Sequence, residues 1–154
     1  MGEALAEASR ALENGEVPIG AVVVRNGAVI GRGRNEVEAR SLATAHAEIL
    51  ALEEASRALG DWRLDGCEVY VTVEPCHMCL GAFYHSRVSR VVYGAKQPRS
   101  GACGSVGRFH EAGLFNHHLE VKGCVREKES LELINHFFSA IRGKGNKRRD
   151  ARAG

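Results

Sequence analysis

No apolar stretch in this 154-residue sequence approaches the ~18 residues a membrane-spanning helix needs, because charges interrupt each one early. No basic n-region opens the chain either. Its beginning, MGEALAEASRALENGE, is acidic, so neither a secretory signal nor a transit peptide is expected, and the protein is placed in the cytoplasm. No period is sustained along the sequence, which removes collagen, repeat arrays and coiled coils. Cysteine is too sparse for a disulfide framework: five residues make an odd count, and only Cys76 and Cys79 form a C-x-x-C pair. In a reducing compartment that pattern reads as metal or redox chemistry, with Cys67, Cys103 and Cys124 as ordinary buried thiols. The last absence is of negative charge. Residues 75–110 hold no acid, but five bases: Arg87, Arg90, Lys96, Arg99 and Arg108.

What is present is average for a soluble globular domain: 44% apolar and 26% charged residues, with length enough to bury one sizeable core. The formal net charge of +2 conceals segregation. Residues 1–74 carry 13 acids against 7 bases, and residues 142–154 carry six bases against Asp150 alone. Segregated positive charge attracts polyanions. The tail reads equally well as a solvated terminus; an acid-free tract beside the C-x-x-C is harder to dismiss. The chain divides into one folded domain over 1–142 and a basic tail, 143–154, expected to be disordered.

Leu5, Ala8 and Leu12 at helical spacing predict a helix over 3–14, ended by Asn14-Gly15. GAVVV at 20–24 and AVIGRG from 28 flank Asn26-Gly27, a type I′ hairpin signal. A polar loop is expected over 34–44. A second helix fits 45–59, with Ile49, Leu52, Ser56 and Leu59 on its inner face. CEVYVTV at 67–73 suits a central strand. Pro75 then precedes a helix over 76–86. Strands at 89–94 and 119–121 follow, and a last helix over 127–142 with Leu131, Ile134, Phe138 and Ile141 as its core stripe. Two crossovers contain helices, so part of the sheet is parallel. The expected fold is α/β, a three-layer α/β/α sandwich on a mixed five-stranded sheet.

The chemistry lies in T-A-H-A-E at 44–48 and E-P-C-H-M-C at 74–79. Cys76 and Cys79 share one helical face. With His46 they make three ligands, one nitrogen and two sulfurs, which suits zinc with its fourth position open. An open site binds water and lowers its pKa to about 7. Two helix N-termini aimed at the metal favour thiolates and hydroxide. Mid-helix, His46 and Glu48 would point about 200° apart, but in a first turn they converge, and Glu48 becomes a proton shuttle from water to a leaving nitrogen. A structural zinc knuckle would need a fourth ligand. His77 should point off the cysteine face, while His85, His110, His117, His118 and His136 stay open on sequence alone.

H-A-E followed by P-C-x-x-C resembles the zinc-dependent nucleobase deaminases, whose known hallmark it is. Further segments are similar to the bacterial tRNA-specific adenosine deaminases: E-V-P-I-G-A-V-V-V at 16–24, H-S-R-V at 85–88, V-V-Y-G-A-K at 91–96, S-G-A-C-G-S at 100–105 and F-N-H at 115–117. The similarity covers roughly 3–141. It implies a cytidine-deaminase-like fold, a homodimer, one Zn2+ per chain, and conversion of adenosine to inosine at the wobble position of a tRNA anticodon stem-loop. His46, Cys76 and Cys79 match the metal ligands, Glu48 the proton shuttle, Asn35 a substrate-contacting asparagine, and the Ala47 backbone a base contact. The chain departs from the family at Leu42-Ala43 and at Gln97-Pro98, both in expected RNA-facing loops.

A deaminase of a free nucleobase or nucleoside, of guanine or cytosine type, would use the same zinc residues and would not need the positive tract. A non-catalytic, zinc-stabilised RNA-binding module would have no use for Glu48.

Overall fold

The computed structural model describes residues 1–113 and 115–150, with 143–150 by backbone alone. The elements are α1 (Gly2–Glu13), β1 (Gly20–Arg25), β2 (Ala28–Arg34), α2 (Val37–Arg40), α3 (Ala47–Leu59), β3 (Glu68–Val73), α4 (His77–His85), β4 (Arg90–Ala95), a 3-10 turn (Phe109–Glu111), β5 (Glu120–Lys122) and α5 (Glu127–Asp150). The sheet order is β2-β1-β3-β4-β5. Asn26 and Gly27 both adopt positive φ, 51° and 78°, the backbone that joins β1 and β2 with the twist of the strands. β1 is antiparallel to both neighbours, while β3 with β4 and β4 with β5 are parallel. β2, β3 and β4 therefore run in one direction. Their carboxyl ends share one edge of the sheet, where ligands of such sheets bind.

Side-chain alternation splits the core between two faces. Ala21, Val23, Val69, Val71, Val91 and Tyr93 join the buried cluster that includes Ala51, Leu52, Cys79, Leu80 and Phe83 of α3 and α4. α1 and α5 touch each other and cover the opposite face. The sandwich expected from the sequence is thus the one formed.

The expected face of α3 meets the core, with Leu52 buried and Ile49 and Leu59 packed against it, but the most deeply buried stripe is another. Ala47, Ala51 and Ala55 are fully buried, with Leu52, while Ile49, Ser56 and Leu59 are half-buried. β2 explains the rotation. A Cβ built on Gly33 would overlap the Ala47 carbonyl oxygen and lie 2.6 Å from the Ala51 nitrogen, and one on Gly31 would lie 2.7 Å from the Ala55 nitrogen. Glycines on the strand let small residues bring the helix backbone almost onto the sheet. A stripe chosen by side-chain size misses that fit, because the closest approach selects the smallest residues.

Three other details differ. The loop expected over 34–44 contains the single-turn helix α2, its first-turn amides at Glu38 and Ala39 captured by Glu16. The last helix continues to Asp150 rather than ending at 142; Gly143 and Gly145 each disfavour a helix by only about 1 kcal/mol. Of the expected tail, 151–154 lies outside the described residues. Finally, the α5 stripe is not core: Leu131, Phe138 and Ile141 are 39%, 45% and 50% exposed. α5 seats Ser130 against Gly94, which leaves Leu131, Ile134 and Phe138 lining an open cleft with Val73 and Ala95.

Candidate metal centre and active site

Three loops leave the common carboxyl edge. β2 leads into Asn35, β3 into Glu74-Pro75-Cys76, and β4 into the tract beginning at Lys96. His46 is the N-cap of α3 and Cys76 the N-cap of α4, both extended in backbone (ψ 149° and 173°). Each hands its side chain to the space in front of a helix N-terminus, and Cys79 joins from the first turn of α4. Nδ1 of His46 lies 3.8 Å from Cys76 Sγ and 3.6 Å from Cys79 Sγ. All three ligand atoms fall within 4.8 Å of one another, the one such group among the described residues. His77 is exposed and packs edge-on against Phe109, ring centroids 4.5 Å apart, away from the group, as its place between the cysteines suggests. The three donors could hold a metal ion, and two sulfurs with one nitrogen suit a thiolate-preferring one.

The electrostatics agree with that chemistry. The Cys76 thiol is held down to about 3, first by the hydrogen bond from Cys79 and then, against the cost of burial, by His46. Cys79 is driven up by the same hydrogen bond and by its own burial. The two helix N-termini favour negative charge on both sulfurs. The hydrogen bond to Cys76 raises His46, with burial opposing. Glu48, in the first turn of α3, is 4% exposed. Burial pushes its carboxyl up, and its nearest ionisable neighbours are His46, Cys76 and Cys79. A buried carboxyl beside a metal pocket, with its proton affinity raised, is suited to moving a proton.

The loop after β2 that holds Asn35 is joined to the residue before His46: the Glu36 amide donates to the Ala45 carbonyl at 3.0 Å. Its Nδ2 donates to Glu16 Oε2 at 3.1 Å, which leaves Oδ1 as the free acceptor. Ala47 is fully buried against β2, and its amide, at the first position of α3, has no partner within the helix. Leu42 is 50% exposed. Gln97 is tied by its amide to Glu74.

Two carboxylates escaped the sequence reading. Glu16, 2% exposed, accepts from Asn35 Nδ2, from the Ala39 amide at 2.7 Å and from the Glu38 amide at 3.4 Å. Glu74, 3% exposed, accepts from the amides of Gln97, Cys103 and Ser105. Burial opposes its charge, but these hydrogen bonds hold its carboxyl below the usual range. Both stand inside segments singled out in the sequence. What they bond is decided by distant loops, so the letters alone carry no signal of it.

A family model for MafB19-like deaminases matches residues 1–142. The tRNA-specific adenosine deaminase of Bacillus subtilis (strain 168) is 47% identical over 144 residues, covering 94% of this chain and 89% of that one. The protein of the same name from Aquifex aeolicus (strain VF5) is 42% identical over 139 residues, 90% of this chain and 91% of its own. A solved structure from studies of A-to-I editing by tRNA:A34 deaminases at the wobble position of transfer RNA superposes with a TM-score of 0.82 at 45% identity, covering 86% of this chain and 96% of that one.

Proposed function

Because the chain belongs to the tRNA-specific adenosine deaminases, a branch matched by the MafB19-like deaminase model, we propose that it hydrolyses adenosine to inosine at the wobble position of a tRNA anticodon. The carrying observation is the His46–Cys76–Cys79 group in front of two helix N-termini with Glu48 buried beside it, on the edge where the acid-free tract emerges.

We assign His46, Cys76 and Cys79 as ligands of one Zn2+. Tetrahedral zinc with bonds of about 2.0–2.3 Å separates a nitrogen from a sulfur by about 3.5 Å, and the observed 3.6 and 3.8 Å suit it. Zinc, when bound there, supplies a water acidified toward neutrality. Glu48 takes one proton from water and delivers it to the purine ring nitrogen as the C–O bond forms at C6, then carries the proton of the new C6 hydroxyl to the amine; the C–N bond breaks, ammonia leaves and the C6 carbonyl of inosine remains. Asn35, its amide oriented by Glu16, presents Oδ1 to the substrate, and the partnerless Ala47 amide is the base contact.

An unpaired anticodon base is extruded at small cost. Lys96, Arg99 and Arg142 rim the cleft floored by Phe138, Leu131 and Ile134, a combination of cations and an exposed ring that suits phosphates and a stacked base. The apolar surface left open around α3 and α4, where Trp62 is 60% and Met78 38% exposed, supports a homodimer. No helix among the described residues is long and apolar enough to cross a membrane, and five free thiols suit the reducing cytoplasm.

The deciding experiment incubates the protein with an anticodon stem-loop, adenosine, cytosine and guanine separately, and follows ammonia and inosine. Turnover of the stem-loop alone is expected. Turnover of a free base alone would replace this reading with a nucleobase deaminase, and no turnover with RNA binding intact would leave an RNA-binding module.

A further inference from the structure

Glu74 sits where strand, metal helix and basic tract meet, and no step of the chemistry uses it. Its carboxylate is buried and has no cationic partner among the described residues. Every hydrogen bond it receives comes from one loop. Oε2 accepts from the Gln97 amide at 3.0 Å and from the Ser105 hydroxyl; Oε1 accepts from the Cys103 amide at 2.9 Å and the Ser105 amide at 3.0 Å. Three backbone N–H groups separated by up to eight residues thus converge on one side chain. A loop without regular structure has few other ways to hold a shape.

The loop is also clamped from its other side. The Ala102 amide donates to the Pro75 carbonyl at 2.9 Å, and Gly101 pairs with Cys76 in an isolated antiparallel bridge. Gly101 is required for the fit: a Cβ there would overlap the Glu74 carboxyl and lie 2.7 Å from the Gln97 carbonyl oxygen. Pro98 and Arg99, held between these anchor points, remain exposed, as does Lys96 just before them. The cations of the tract are therefore displayed from a loop whose backbone shape is set by one buried carboxylate, two residues from a metal-pocket cysteine.

We propose that Glu74 is a positioning residue for RNA: it fixes the 97–105 loop relative to the metal pocket, so that Lys96 and Arg99 meet the anticodon backbone when the target base is in place. This rests on the tRNA reading above. The role predicts an effect on recognition and not on chemistry, because the carboxylate touches neither the metal pocket nor the base.

The test compares Glu74→Gln and Ser105→Ala with the wild-type protein on an anticodon stem-loop, measuring KM, kcat and zinc content. Glu74→Gln keeps the shape but turns an amide donor toward converging N–H groups; Ser105→Ala removes one donor and spares the fold. KM is expected to rise about tenfold for Glu74→Gln and about threefold for Ser105→Ala, with kcat within threefold of wild type and zinc unchanged. A lowered kcat with unchanged KM would overturn the proposal, by placing Glu74 in the chemistry. So would Glu74→Gln failing to fold while Ser105→Ala keeps the wild-type KM, because Glu74 would then serve only the fold. A wild-type protein inactive on the stem-loop would sink the tRNA reading and this proposal together; an active wild type with both variants unchanged in KM sinks the proposal alone.

Discussion

Replacing Gly33 by alanine tests whether the approach of α3 to β2 is what assembles the metal pocket. The new methyl would lie 2.6 Å from the Ala51 nitrogen and overlap the Ala47 carbonyl oxygen. Unstrained contacts sit near 3.5 Å, so about 1 Å must be found. The obstructing atoms are backbone on both sides, and no side-chain rotation relieves them. The cost therefore belongs at the top of the range for overpacking, about 3 kcal/mol, or a fall in Tm of about 6–12 °C for a chain of this size. The displaced end of α3 carries His46 at its N-cap and Glu48 in its first turn, whereas metal ligands tolerate only ~0.2 Å. Gly31→Ala is the comparator, because its obstruction lies one turn further along, at Ala51 and Ala55. Thermal denaturation and a zinc-chelator release assay should show similar destabilisation in the two variants but faster metal release in Gly33→Ala. A Gly33→Ala protein melting within about 2 °C of wild type, or releasing metal no faster than Gly31→Ala, would refute the reasoning.

Glu48→Gln should retain zinc and bind the stem-loop, while its single-turnover rate falls by at least about 10²–10⁴-fold; a rate within a few-fold of wild type would remove Glu48 from the mechanism. Cys76→Ser or Cys79→Ser should each lose the metal and some stability, since the ligands tie the starts of α3 and α4 together; metal analysis and melting curves read both. Stem-loop binding should weaken with salt, by a slope of about −0.7 per phosphate neutralised, and charge reversal at Arg99 should lower that slope without changing zinc content. Cys67 and Cys103 are buried as expected, but Cys124 is exposed; thiol labelling of the native protein should modify Cys124 and spare the other two, whose burial raises their pKa, to about 12 for Cys103, and rapid labelling of Cys103 would show that its loop opens.

Much of this protein was determined by local sequence. The Asn26-Gly27 turn, the β-branched strands and the position of Pro75 before α4 depend on neighbouring residues, and they place the elements without reference to the rest of the chain. His46 at the start of α3, with Cys76 and Cys79 at the start of α4, was legible for the same reason: a cap and a first turn are local geometry, and the i, i+3 cysteines need only a helix to share a face. The tertiary structure decided everything that depends on contact between distant segments. Which stripe of α3 is buried follows from glycines on β2, not from the helix's own pattern. The α5 stripe lines an open cleft because Ser130, not Leu131, seats against Gly94. Glu16 and Glu74 became loop anchors because backbone amides 22 to 31 residues away in sequence turn toward them. A residue's own letter encodes its local preference and its capacity to bond; which partner meets it is set by chain closure over the whole sheet.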